Sequence, residues 1–171
     1  MLPKAVLDPG IFNRWGPDFA VEHGLVLACN EGAVMTVGFG HRYPSVEVWS
    51  TSRVDQPWRV DDEGIDAVSD LLHAAHVAVS DDVPANEEWH YRPMGTGVAV
   101  PWGIILKLRI STLAGFEGGT KIYVNTISPA ALAAMLLPKL FQARAAGRIA
   151  PMDLGDECEI PRGVLAATWV R

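Results

Sequence analysis

The chain has 171 residues, 49% apolar and 20% charged, with a formal net charge of -6 and a pI near 5.3. These values exclude a disordered or low-complexity chain, and a domain of this size buries about 70% of its unfolded surface without needing disulfides or a structural metal. The acidic balance argues against a protein that grips nucleic acid with its whole surface, and six tryptophans stand out.

The opening 23 residues carry Asp8-Pro9-Gly10 and Trp15-Gly16-Pro17, which punctuate any helix into short turns, so residues 1–23 are expected to be irregular. Asp8 and Pro9 also interrupt the apolar stretch a secretory leader requires. Leu25–Cys29 reads as a strand, Asn30-Glu31-Gly32 as a turn, and Ala33–Phe39 as a second strand. There Ala33, Met35, Val37 and Phe39 alternate with Val34, Thr36 and Gly38, the period of a half-buried strand. Val46–Trp49 is a third strand, and Trp58–Val60 is expected to extend the meander. A helix is predicted from Asp61-Asp62-Glu63, whose carboxylates suit its positive end. Ile65, Val68, Leu71, Leu72, Ala75 and Val79 form its apolar face.

Residues 80–97 read as a long acidic and aromatic connecting loop, of a length that tends to be functional. Ile104–Thr112 alternates cleanly as a strand, and Lys121–Asn125 is its expected hairpin partner. Ser128-Pro129 caps a second helix that ends at Gly147, with Pro138 expected to kink it. Gly163–Val170 is read as a last strand. The order β-β-β-α-β-β-α-β predicts one α+β domain spanning 1–171, a mostly antiparallel sheet with two main helices packed on one face.

No stretch reaches the roughly 20 apolar residues needed to cross a bilayer. Cys29 and Cys158 lie 129 positions apart with no Cys-x-x-Cys pair, which predicts a cytoplasmic protein with no disulfide framework. Glu157 and Glu159 make Cys158 a poor nucleophile.

Chemical motifs are sparse. Asp70, His73 and His76 share a helix, but the histidines are three apart, not four as in His-Glu-x-x-His, and no third ligand set is evident; neither metal nor cofactor is expected. His41 follows the second strand and His90 lies in the long loop. Both are candidate acid–base residues without an identifiable partner beyond Glu87 or Glu88. No Gly-x-Ser-x-Gly elbow occurs. The glycines near Gly95 and Gly115 lack the helix that a phosphate loop requires.

Glu88, Trp89, His90, Tyr91 and Arg92, with Trp102 nearby, combine the side chains enriched at binding hot spots. Charge is also divided along the chain. Residues 55–88 hold ten acidic residues and one basic, whereas residues 101–148 hold six basic and one acidic. The leading expectation is therefore a non-catalytic protein-binding module that uses the aromatic–Arg loop and divided surfaces to meet another protein or a second copy of itself.

By element order the chain resembles small acidic secretion chaperones, and immunity or inhibitor proteins are of similar build, as is a small subunit of a phage particle. No residue motif carries these resemblances. Two alternatives come from other classes. One is a small His-dependent hydrolase, metal-assisted if His73 and His76 take part. The other is a single-strand nucleic-acid binder that uses Lys107, Arg109, Lys121 and Tyr123 on one hairpin face.

Overall fold

A computed structural model of the chain describes residues 8, 10–97, 100–110 and 115–165. Two short helices, α1 (Ile11–Arg14) and α2 (Pro17–Glu22), occupy the opening segment, and Pro17 sits at the first helical position, where its missing N–H costs nothing. Strands β1 (Val26–Cys29), β2 (Ala33–Gly38) and β3 (Ser45–Ser50) follow as an antiparallel meander. Helix α3 spans Asp62–Val79, with the Asp61 carboxylate accepting the Gly64 N–H at 3.0 Å. Strands β4 (Ala85–His90) and β5 (Gly103–Leu108) pair antiparallel. A short α4 (Gly115–Thr120) precedes α5 (Pro129–Ala145), and β6 (Asp153–Leu154) leads into a 3-10 turn at Gly155–Glu157.

The sheet has six strands in the order β4-β5-β3-β2-β1-β6, and every paired neighbour is antiparallel. The two long helices pack together over one face. On that face Val46, Val48, Ile104 and Leu106 meet Leu71, Ala74, Leu136 and Leu140 in one core. The fold is α+β, as the element pattern predicts. Because side chains alternate across a strand, Glu47, Trp49 and Ile105 point to the opposite face and line a cleft there.

Several local readings are corrected. The connection at 80–97 contains β4, the edge strand and true hairpin partner of β5; Asn86-Glu87-Glu88 hides it from hydrophobic periodicity, since an edge strand needs only one ladder of backbone bonds and tolerates charge. Lys121–Asn125 is not a strand. Trp58 lies in a 3-10 turn, Pro57–Arg59. β2 is buried along its whole length, not on one face alone. The Ser128 cap holds, its hydroxyl accepting the Ala131 N–H at 3.2 Å, and α5 runs on through Pro138. Gly147, at φ +65, follows its end in the left-handed conformation that favours glycine. Ser111 and Thr112, and the strand expected at Gly163–Val170 beyond Leu165, fall outside the described residues; Gly163–Leu165 is not strand. Among the described residues no helix is long and apolar enough to cross a membrane.

Candidate active site

β3 carries one carboxylate in an otherwise apolar run, Ser45-Val46-Glu47-Val48-Trp49. Glu47 is 5% exposed, and burying a carboxylate is costly unless donors surround it. Two do. His41 Nε2 lies 2.5 Å from Glu47 Oε1, and the Trp49 indole N–H donates to Oε2 at 2.8 Å. An ionised carboxylate only accepts hydrogen bonds, and facing one a histidine donates from the ring nitrogen in contact, here Nε2.

The loop after β2 aims His41 at this point, and Gly38 makes the approach possible. A Cβ on Gly38 would stand 2.7 Å from Ser45 Oγ, 2.8 Å from His41 Cδ2 and 3.0 Å from Glu47 Oε1. The loop is tied down from outside as well. Asn125 Nδ2 donates to the His41 carbonyl at 3.1 Å, and the Arg42 guanidinium lies 4.4 Å from the centre of the Tyr123 ring.

His41 and Glu47 open into a cleft of about 840 Å³. Its walls are aromatic: Phe12 and Trp15 from α1 and its end, Phe39 from the loop, Trp49 from β3, and Tyr91 after β4. Phe39 is held by Phe19, stacked at 4.1 Å, with Trp15 at 6.3 Å. Pro93, Val100, Pro101 and Ile105 complete the apolar lining, and His90 stands at the margin. Beside His90, Lys107 Nζ pairs with Glu88 Oε2 at 2.6 Å, and this contact is the main reason the Glu88 carboxyl lies below its ordinary range.

The fold thus brings His41 and His90, far apart in sequence, to one cleft. The carboxylate that partners His41 is Glu47, not Glu87 or Glu88. Its signal was the lone charge among valines, two residues from a tryptophan on the same strand face. Phe12, Trp15 and Phe39 had no periodicity to mark them.

The other predicted groupings disperse. Of the six hot-spot residues, Trp102 is 1% exposed in the core and unable to meet a partner. Arg92 is turned inward, Nε lying 2.5 Å from the buried Asp55 and Nη1 donating to the Thr96 carbonyl at 3.0 Å. Trp89 and Tyr91 remain partly exposed, the latter edge-on to Trp58 at 5.1 Å. The basic hairpin face does not form: Lys107 is paired with Glu88, while Lys121 and Tyr123 follow α4 outside the sheet and Arg109 lies past the end of β5. On α3, His76 faces Glu87 of β4 at 2.8 Å instead of sharing a ligand with Asp70 and His73, and among the described residues no three ligand-type side chains converge for a metal.

The profile of a family described as a domain of unknown function (DUF4921) matches residues 3–167. No curated protein matches the chain in sequence. Solved structures do share its fold. An ADP-glucose phosphorylase from Arabidopsis thaliana with bound ADP-glucose aligns at TM-score 0.61 and 20% identity, covering 68% of this chain and 41% of that one. A uridylyltransferase aligns at TM-score 0.64 and 16% identity, covering 82% and 48%. A galt-like protein from Arabidopsis thaliana aligns at 0.58 and 20%, covering 71% and 46%. At such identities the likeness is one of fold, and this chain spans less than half the length of each of these three. The expectation of a non-catalytic binding module, with its adaptor, inhibitor and viral or secretion-assembly readings, is corrected by this likeness, because the structures that share the fold are described as a phosphorylase and a uridylyltransferase.

Proposed function

The chain belongs to the DUF4921 family, and on that premise we propose that its His41 cleft is the active site of an enzyme that makes or breaks a phosphate bond of a nucleotide or nucleotide sugar. One observation carries the reading: a histidine whose Nε2 lies against a buried carboxylate, both lining an aromatic cleft. A fold shared with a uridylyltransferase and an ADP-glucose phosphorylase supplies the substrate class.

His41 Nδ1 is the acid–base atom in this reading. It takes a proton from the attacking oxygen as the new bond to phosphorus forms, and returns it to the leaving oxygen. Glu47 stabilises the imidazolium that arises in between and fixes the ring so that Nδ1 faces the cleft; a positioned base of this kind contributes about 10²- to 10⁴-fold. Glu47 itself is steadied by the Trp49 N–H. The aromatic walls give a nucleobase flat surfaces to stack on, an interaction of about 1–3 kcal/mol per base, and they exclude water from the reacting end. His90 at the margin is a donor for a phosphate oxygen.

The test is turnover of ADP-glucose and of a uridine diphosphate sugar, each offered with inorganic phosphate or a sugar phosphate and followed by phosphorus NMR. Activity should fall about 10²-fold or more in His41→Ala, and by a smaller factor in Glu47→Gln. An inactive wild type across this panel, or a His41→Ala variant as active as the wild type, overturns the reading.

A further inference from the structure

Cys29 and Cys158 are the chain's only cysteines, and the fold closes the 129-residue gap between them. β1 and β6 pair with Cys29 opposite Asp153. The 3-10 turn then doubles back, so that Cys158 Sγ donates to the carbonyl of Asp153, the residue paired with Cys29, at 3.3 Å. The turn is held firmly: Arg144 forks onto Glu157 at 2.5 and 2.9 Å, and Glu157 accepts the Leu154 N–H at 3.0 Å. Both thiols are free and half-buried, and Cys29 opens onto a broad cleft of about 890 Å³ at the sheet edge.

From Cys158 the chain continues as a strap to the helices that wall the His41 cleft. Arg162 pairs with Glu22 at 2.7 Å, the Gly163 N–H donates to Asp18 at 2.9 Å, and Asn13 makes two hydrogen bonds with the Leu165 backbone, at 2.6 and 2.8 Å. Asn13 stands between Phe12 and Trp15, which line the cleft.

We propose that Cys29 and Cys158 form a reversible intramolecular disulfide by exchange with a low-molecular-weight disulfide such as oxidised glutathione, and that this bond latches residues 158–165 and, through them, the helices walling the His41 cleft. The thiol chemistry stands by itself; only its consequence for the cleft rests on the function proposed above. Cys29, which lines the cleft, attacks as thiolate and releases one glutathione, which leaves with a proton. Cys158 then attacks the mixed disulfide at Cys29 Sγ and releases the second. The protein pair is oxidised by two electrons and the glutathione disulfide is reduced by the same two. Burial and the Asp153 carboxylate both push the two thiols above their ordinary range, with Glu157 adding to the effect at Cys158. Glu31, Glu159 and the Glu157-paired Arg144 also face the cleft at Cys29. Exchange is therefore slow at neutral pH and accelerates as pH rises.

The test treats the native chain with oxidised glutathione and weighs it intact. The expected product has lost two hydrogens, has no titratable thiol in place of two, and is restored by dithiothreitol. Cys158→Ser should stop at the glutathione adduct. Hydrogen exchange across residues 11–22 should slow in the oxidised form. Accumulation of the adduct in the wild type, disulfide-linked dimers, or thiols that react only in denaturant would overturn the disulfide. A disulfide that leaves exchange at 11–22 unchanged would overturn the latch. None of these readouts uses a nucleotide substrate, so failure here is separable from failure of the proposed activity.

Discussion

Gly38→Ala is the sharpest test of how the site is built. Position 38 ends β2 opposite Ser45, and an added Cβ would fall 2.7 Å from Ser45 Oγ, 2.8 Å from His41 Cδ2 and 3.0 Å from Glu47 Oε1. Real carbon contacts sit near 3.5–4.0 Å, so three groups must give way together. Ser45 is fully buried on the central strand β3, and Glu47 is held by Trp49. The His41 ring, the one of the three groups not on the sheet, can turn about its side-chain bonds, so the methyl group should push the imidazole off the carboxylate. Overpacking of this kind costs about 1–3 kcal/mol. Replacing a strand glycine returns about 0.5–1 kcal/mol of backbone entropy. The net loss is about 1–2 kcal/mol, or a fall in Tm of about 2–8 °C for a chain of this size. Calorimetry reads the stability, and the His41 ring resonances in NMR read the displacement. A Gly38→Ala protein as stable as the wild type, with His41 signals unmoved, would refute the claim that Gly38 makes room for the pair.

Three further outcomes follow from contacts elsewhere. Arg92→Ala leaves the Asp55 carboxylate, 7% exposed, without its cation, and should cost about 3 kcal/mol in urea unfolding; a surface-like loss of a few tenths would mean that Arg92 is not structural. Ser128→Ala removes the cap that accepts the Ala131 N–H and should lower stability by about 1 kcal/mol. Arg144 beside Glu157 holds that carboxyl down to about 2 from an ordinary 4.5. A group lowered on folding stabilises above its unfolded value and loses that contribution as pH falls through the folded one. The Tm gap between wild type and Glu157→Gln should therefore be full above pH 4.5 and close progressively towards pH 2.

The elements legible in the sequence are those whose burial is one-sided and repeated. The apolar stripe from Ile65 to Val79 marks a helix because one face meets the sheet, and Ile104-Leu106-Leu108 marks a strand for the same reason. β4 was illegible because an edge strand of Asn-Glu-Glu character has no apolar row to display. α4, at Gly115–Thr120, begins with a glycine and holds two more, so propensity gave no warning of it. At the site, His41 could be singled out as a histidine at a strand end. Its function depends on Glu47, six residues away across a turn, and on Phe12 and Trp15, contributed from the opening helices. Those distances are set by β2–β3 pairing and by the packing of α1, neither of which is written in local spacing.

The charge division shows the same limit most clearly. Along the chain, residues 55–88 are acidic and residues 101–148 basic, which suggests two opposed surfaces. Folding brings charges of the two blocks into contact. β4 carries Glu88 and lies directly against β5, which carries Lys107, and the two side chains pair at 2.6 Å. Asp55 is cancelled by Arg92 inside the fold, and Glu87 faces His76 across the α3–β4 corner. An antiparallel hairpin places two sequence blocks at strand spacing, about 4.8 Å apart, well inside the Debye length of about 8 Å at physiological salt. At that separation the Glu88–Lys107 pair is neutralised locally. In the aromatic–Arg loop, the arginine is turned inward against Asp55 and does not face outward with Trp89 and Tyr91. What the same loop does supply, through Tyr91 and Pro93, is one wall of the cleft that holds His41.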